Sequence, residues 1–396
     1  MLNLRTLITC AALCAPIVTM APAGALAQGA AESLPVAVLL PRSGPSADSF
    51  GGSMLAGLNF VFDAVNAAGG VKAADGKSYK IALKTFDDPL TDVKIAQTAA
   101  QRALDEKYRI IIGPVGSGSA SAVQPQMARS DAFWLLAPSV VPGPTKLPNV
   151  FRAAPLLKVY NEAVLDWLKM NPDVKTVAMA TDQTHTGLVA ATGELVSGIE
   201  GLGRKVVATE SFRQGDKDFR AMLTSMLQKR PDLYLHRGFA PEAALSLEQI
   251  RELGGQMPVM WNSAVTAAEV RKLVPNENLM ANVVQAATGQ SLDPFLGAGM
   301  ELAKKVKDAV GDKAGTFTAT GHDAAVVLVE ILKRTKSMDK AAISAAAESL
   351  PASALEGKTL NTFSPHDDGL VFKAHEVNVP GTLMTWQLGK GWVASR

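Results

Sequence analysis

The run Gly113-Pro114-Val115-Gly116-Ser117-Gly118-Ser119 carries the densest set of anion-binding groups in the chain. A Gly/Ser turn that enters a helix presents free N–H groups and hydroxyls to a carboxylate. The same residues also suit a tight strand-to-helix turn with a serine cap. Phosphate readings fail on specific positions. A Walker loop needs Gly-Lys-Ser/Thr at its end and this run has no lysine; a dinucleotide fingerprint begun at Gly116 needs a glycine where Ser121 stands. A second group, His236-Arg237-Gly238-Phe239, sets a guanidinium beside an aromatic ring, which suits a carboxylate on an apolar body and equally suits a structural arginine. Trp261-Asn262-Ser263 offers a further aromatic and two hydrogen-bonding groups, or a core tryptophan with its flanking turn.

Catalytic constellations are missing where they would be expected. No Gly-x-Ser-x-Gly elbow occurs, and the five histidines (His185, His236, His322, His366, His375) lack HExxH or comparable metal spacing. Asp87-Asp88 and Asp367-Asp368 sit in turn contexts, where aspartate bonds its own backbone. The two cysteines, Cys10 and Cys14, both fall in an opening segment with a basic start, an apolar middle and Ala25-Leu26-Ala27 before Gln28. That is the pattern of an export signal, residues 1–27, removed near Ala27/Gln28. The expected mature chain therefore has no thiol, which excludes thiol catalysis, disulfides and Cys-ligated metals. No cofactor is expected. With Lys+Arg 39 against Asp+Glu 37, the chain has no electrostatic footprint for nucleic acid.

The elements that must position these loops follow from periodicity. Short apolar runs at 36–40, 79–86, 109–113 and 133–137 alternate with amphipathic stretches, and a similar series follows Pro155 with strands at 176–181, 205–212, 232–237 and 259–262. Alternating β and α units predict parallel sheets with helices on both faces, and two such series predict two similar lobes. The last hundred residues hold too few strand-like pieces for a third sheet and are expected to complete the first two. In such sheets ligands bind where loops leave the carboxyl ends of the strands, which is where all three groups lie.

Further motifs stand in a fixed order: Pro41-Arg42-Ser43-Gly44-Pro45, the helix ending Val65-Asn66-Ala67-Ala68-Gly69-Gly70-Val71, Phe86-Asp87-Asp88-Pro89, and Ile112-Gly113-Pro114 with its serine loop. Leu136-Ala137-Pro138-Ser139, Phe151-Arg152, Lys217-Asp218-Phe219 and Gly238-Phe239-Ala240-Pro241-Glu242 continue the series. On these motifs the chain resembles the periplasmic substrate-binding proteins of ABC transporters, of the leucine/isoleucine/valine-binding type, and the resemblance covers the whole mature chain.

The resemblance implies an α/β fold of two doubly wound parallel-sheet lobes joined by three crossover strands, near 151–154, 284–288 and 360–364, closing on a ligand like a flytrap. The expected lobes are 28–152 plus 287–360, and 153–286 plus 361–396. It also implies a periplasmic monomer that delivers a small molecule to an inner-membrane permease. By position, Ser117, Gly118 and Ser139 would take the ligand carboxylate, Phe50 would line the first lobe's wall, and His185 and Phe239 would come from the second. Two departures stand out. Where amino-acid binders of this type hold the α-ammonium with a threonine and an acid, this chain has Val141 and Ser263, which by position would line the cleft against the ligand, and no Asp or Glu occurs from Met257 to Ala268. A buried ammonium without a carboxylate costs several kcal/mol. The expectation is therefore a carboxylate lacking an α-amino group, aromatic or branched, with Arg237 or Arg42 adding positive charge and Trp261 an aromatic wall. The alternative is a sensor of the same fold feeding a regulator or chemoreceptor, and the export signal and the absence of a signalling segment after Arg396 point to transport instead.

Overall fold

The computed structural model describes residues 31–288 and 300–395; the expected export signal and Cys10 and Cys14 lie outside them. Fifteen strands among the described residues form two sheets. In chain order they are β1 (Glu32–Leu40), β2 (Val71–Lys72), β3 (Ser78–Asp87), β4 (Ile110–Ile112), β5 (Phe133–Leu136), β6 (Val150–Arg152), β7 (Thr176–Asp182) and β8 (Lys205–Phe212). There follow β9 (Leu233–Arg237), β10 (Val259–Trp261), β11 (Val283–Thr288), β12 (Phe372–Lys373), β13 (Glu376–Val377), β14 (Gly381–Gln387) and β15 (Gly391–Ala394). The first sheet runs β12-β13-β6-β5-β4-β1-β3-β2 and the second β15-β14-β11-β10-β9-β7-β8. Their centres are parallel, and antiparallel pairs occur only at the edges, at β2, β12 and the β11-β14-β15 ribbon.

Helices cover both faces, so the central strands are apolar without alternation. Along β1, Val36, Val38 and Leu40 join one core cluster, while Ala37 and Leu39 join another on the opposite face. In the second sheet Val177 and Met179 face one cluster and Ala178 and Ala180 the other. The helices are α1 (Ser53–Ala67), α2 (Val93–Asp105), α3 (Ser117–Arg129), α4 (Leu157–Met170), α5 (Thr186–Ala190), α6 (Thr192–Gly201), α7 (Arg220–Leu227), α8 (Ala240–Glu252), α9 (Ala267–Leu273), α10 (Met300–Val310), α11 (Thr318–Leu332) and α12 (Lys340–Glu348). Every residue of α11 is buried, its apolar stretch from Ala324 to Val329 together with the polar Thr318, Thr320, His322, Asp323 and Glu330. It lies against α1 with backbones nearly touching: a Cβ on Gly57 would fall 2.1 Å from the Thr318 carbonyl oxygen, and one on Gly321 2.0 Å from that of Met54.

The last segment returns to the first sheet before reaching the second. Phe372–Lys373 and Glu376–Val377 form a hairpin whose β13 pairs with β6, and the chain joins the second sheet only at Gly381. The expected boundary at 361 and the crossover near 360–364 are thus corrected to 378–380. Two contacts hold the hairpin there: Glu376 pairs with buried Arg152, and Phe372 and Val377 pack into the first lobe's core. The first crossover falls at 153–156, between β6 and α4. The second follows β11, and residues 289–299 lie outside the described set. No helix among the described residues is long and apolar enough to cross a membrane.

Candidate functional site

Both sheets have a switch point where the chain first passes to the other side of its starting strand, β1 with β3 and β4, β7 with β8 and β9. The loops leaving the carboxyl ends of these strands are where an open α/β sheet receives a ligand. In the first lobe β4 leads through Gly113–Gly116 into α3, whose N-cap Gly116 makes no side-chain cap bond. A glycine has no side chain to cap the first N–H groups of that helix, and the Gly116 N–H itself bonds to the Asp88 carboxylate. Ser117 opens α3, is buried, and its Oγ accepts from the Val140 N–H at 3.3 Å. Beside it, after β5, the Oγ of buried Ser139 has no hydrogen-bond partner among the described residues. A partnerless buried hydroxyl is uncommon in a folded protein and marks a place for a ligand or water.

The Ser139 loop is held from below. Arg152, wholly buried, donates to the carbonyls of Ser139 and Val141 and pairs through Nε with Glu376 at 2.8 Å. Glu376 also accepts from Thr145 Oγ1 at 2.6 Å. Val141 therefore serves through its carbonyl; its side chain packs on the first lobe's core rather than lining the cleft as expected. Its neighbour Val140 turns the other way and packs with Leu157, Tyr160, Leu188, Ala191 and Ala264 of the second lobe. In the same first turn of α3, Asp88 also accepts from Ser119 Oγ at 2.7 Å, and burial pushes its carboxyl above the usual range.

In the second lobe His185 caps α5, its Nδ1 accepting from the Leu188 N–H at 3.2 Å. Burial lowers its pKa, with Asp182 opposing, so the ring is neutral and free to accept. Gly187, two residues on, sits against the first lobe: a Cβ there would fall 2.9 Å from Ser117 Oγ and 2.9 Å from Val140 Cγ2. Gly118 meets the same element, with Thr186 Oγ1 3.5 Å from where its Cβ would be. Phe239 follows β9, 5.5 Å from the His185 ring and 6.4 Å from that of Phe50, which crosses from the first lobe. Phe50, on a π-helical turn at Ala47–Gly52, stacks at 3.7 Å on Phe317 ahead of α11. Two lobes thus meet with Phe50 and Phe317 on one side and Phe239 and His185 on the other.

Arg237 is the unusual charge. It is wholly buried, and among the described residues its partners are all neutral: Thr192 Oγ1 at 2.5 Å, Asn262 Oδ1 at 3.3 Å and Asn161 Oδ1 at 3.4 Å. Burial without a carboxylate pulls its pKa down to about 10. Thr181, its register partner on β7, is buried with an unpartnered hydroxyl, and so is the Oγ of Ser263. Near them Asp182 and Glu242 each keep one buried oxygen without a partner among the described residues, and burial raises the Glu242 carboxyl.

Two expectations change. Trp261 is wholly buried edge-on to Trp392 in the second lobe's core, because β10 alternates its faces and that position points to the core cluster. Arg42 is exposed, with its backbone N–H on Asp87 Oδ1 at 2.7 Å, so its loop is anchored while its side chain is left in solvent. Conversely, Phe317 and Gly187 went unnoticed in the sequence. An aromatic directly before a long apolar helix was the available sign of Phe317; Gly187 gave none, since its neighbour belongs to the other lobe. Among the described residues no group of three or more His, Cys, Asp or Glu side chains is placed to hold a metal ion.

Comparison with known proteins adds the following. The family model for periplasmic binding proteins matches residues 33–376. The Leu/Ile/Val-binding protein BraC3 of Rhizobium johnstonii is 24% identical over 349 residues, covering 87% of this chain and 89% of that protein. Among solved structures, the leucine binding protein LivK of Thermotoga maritima superposes with a TM-score of 0.77 at 20% identity, over 92% of this chain and 98% of its own. A solute binding protein of an ABC transporter from R. palustris, in complex with benzoate, superposes with 0.72 at 20% identity, over 91% and 95%.

Proposed function

Because the chain belongs to the periplasmic binding protein family, whose members bind rather than transform small molecules, we propose that it is the periplasmic solute-binding component of an ABC importer, capturing a small carboxylate between its lobes and delivering it to an inner-membrane permease. The observation that carries the carboxylate is the buried, partnerless hydroxyl of Ser139 beside the start of α3, whose N-cap residue is a glycine. These groups donate hydrogen bonds, and a helix N-terminus favours negative charge. Gly187 and Thr186 of the second lobe close over them, so the second lobe seals the anion against water.

The body of the ligand lies against Phe50, Phe317 and Phe239, an apolar wall suited to an aromatic or branched acid. Arg237, a buried cation with neutral partners, adds a favourable field for an anion from the second lobe. The leucine- and benzoate-binding neighbours span both ligand classes on this fold. We favour an acid without an α-amino group, because the loop after β10 carries no carboxylate. One observation speaks for an amino acid: the unpartnered oxygens of Asp182 and Glu242 are acceptors for an ammonium.

Isothermal titration calorimetry with benzoate, 4-methylpentanoate, leucine and valine separates the two. Binding of an acid with micromolar or better affinity, and at least tenfold tighter than leucine, supports the reading. Tight binding of leucine or valine with none of the acids overturns it in favour of the amino acid. Deleting the chain from its host and measuring uptake of the bound compound tests delivery to a permease against a sensory role.

A further inference from the structure

We propose that Glu269 and Thr316 form a latch that favours the closed arrangement of the lobes without touching the ligand. The proposal rests on the two-lobe binding reading above. Glu269 belongs to α9 of the second lobe, where Ala267 and Val270 pack into that lobe's core. It completes a capping box: its Oε2 accepts from the Thr266 N–H at 3.0 Å and from Thr266 Oγ1 at 3.0 Å, while Thr266 Oγ1 accepts from the Glu269 N–H at 3.1 Å. A capping box uses one carboxylate locally and needs nothing from another lobe.

Here the same carboxylate reaches further. Thr316 Oγ1 donates a short hydrogen bond to Glu269 Oε2, and the Thr316 N–H donates to Oε1 at 3.4 Å. Thr316 lies just ahead of α11, the helix buried against α1 in the first lobe. Its neighbour Gly315 has Ser53 of α1 and Glu269 around the place a Cβ would take, Ser53 Cβ at 3.0 Å and Glu269 Oε1 at 3.5 Å. Thr316 is itself buried, so its hydroxyl finds its acceptor only when the second lobe is against the first. Gln214 Nε2, donating to Ser46 Oγ at 2.9 Å, is a second polar bridge between the lobes.

When the lobes part, the capping box survives intact while both Thr316 bonds are lost to water. The latch thus acts only on the balance between open and closed forms, which scales the apparent affinity for any ligand that needs the closed form. Glu269 and Thr316 are positioning residues in this sense.

The test uses ligand-free protein and so does not depend on the ligand's identity. In the full chain Cys10 and Cys14 are changed to serine, and nitroxides are attached at Lys94→Cys on α2 and Glu194→Cys on α6, two exposed sites, one in each lobe. Pulsed dipolar spectroscopy then reads the distance between them. We expect a closed component in the parent protein, a threefold or greater drop of that component in Thr316→Val, and its recovery in Thr316→Ser. Arg271→Ala, which removes the pair between α9 and Glu277 and leaves Glu269 and Thr316 untouched, is expected to lower the melting temperature and leave the closed component in place. An unchanged closed component in Thr316→Val overturns the latch, as does an equal loss in Arg271→Ala, which would trace the effect to the folding of α9. A single distance in the parent, with or without added benzoate and leucine, overturns the closing-lobe reading itself.

Discussion

Arg152 is the last residue of β6 in the first lobe and Arg237 the last of β9 in the second, and both are wholly buried. Arg152 has a carboxylate on Nε and two backbone carbonyls on its remaining nitrogens. Arg237 has three neutral acceptors and no acid among the described residues. One arginine is closed in its own lobe and fixes the loop that carries Ser139. The other holds a charge that its lobe leaves uncompensated, which is the condition under which an incoming anion gains most. A buried arginine at a strand end is therefore not one kind of evidence: its counter-charge decides whether it is complete within its own lobe or can serve the anion proposed above.

The largest effect that separates them is on folding. Arg152→Met leaves Glu376 half-covered without its cation and releases the carbonyls of Ser139 and Val141. Breaking such a pair from one side costs about 3–5 kcal/mol. Urea denaturation should show that loss, with carboxylate binding abolished. A loss below about 1 kcal/mol would remove the distinction drawn between the two arginines.

Acid should distinguish the lobes next. Burial holds His236 of the second lobe down to about 3 and lowers His185 as well. A histidine whose folded pKa lies below its unfolded value stabilises fully above the unfolded value of 6.5 and loses that contribution as pH falls toward the folded one, at up to about 1.4 kcal/mol per pH unit for each group. In the first lobe Glu330, buried and bonded to Lys333, Lys358 and Arg334, is held at about 2 despite its burial. Its contribution is present above 4.5 and lost only as pH falls below that. Between pH 6.5 and 4.5 hydrogen exchange corrected for intrinsic rates should therefore loosen β9 while β4 stays protected. Simultaneous loosening of both strands in that window would break the contrast.

Third comes the functional consequence of the uncompensated charge. Arg237→Met keeps length and apolar contact while removing a cation whose partners are neutral, so stability should change by no more than about 1 kcal/mol in either direction. Affinity for the carboxylate ligand should fall more than tenfold, about 1.4 kcal/mol, by calorimetry. Unchanged affinity would return Arg237 to a structural part like that of Arg152.

The strands, and the loops at their ends, are readable because a strand stretch buried on both faces must be apolar, as Val36 to Leu40 of β1, all of β4 and Val177 to Ala180 of β7 are. Ser117, Ser139, His185 and Phe239 come together because all four leave carboxyl ends of such strands. What could not be read depended on partners far along the chain. Glu376 lies 224 residues from Arg152, and nothing in 361–380 announces that a hairpin there belongs to the first sheet. Trp261 and Val141 were assigned to the cleft because they sit in the correct loops; one step of strand or loop phase sent each side chain into a core, and Val140 rather than Val141 faces the other lobe.

Gly187 is the position where this kind of blindness can be measured most sharply. In α5 a glycine is a poor choice for helix stability, and alanine there should gain roughly 0.5–1 kcal/mol by its lower backbone entropy in the unfolded chain. Against the first lobe the same methyl would press to 2.9 Å on Ser117 Oγ and Val140 Cγ2. Both atoms are side-chain ends, so they can rotate aside, but Ser117 would then give up the orientation in which it accepts from Val140 and faces the anion. Gly187→Ala should thus leave the ligand-free melting temperature equal or slightly higher while weakening carboxylate binding several-fold, chiefly through faster release in stopped-flow measurements. Stability and affinity moving in opposite directions is what a methyl tolerated by its own helix and crowding the other lobe produces. If both rise together, Gly187 is a local feature of α5, and the seal over Ser117 must be sought at Thr186.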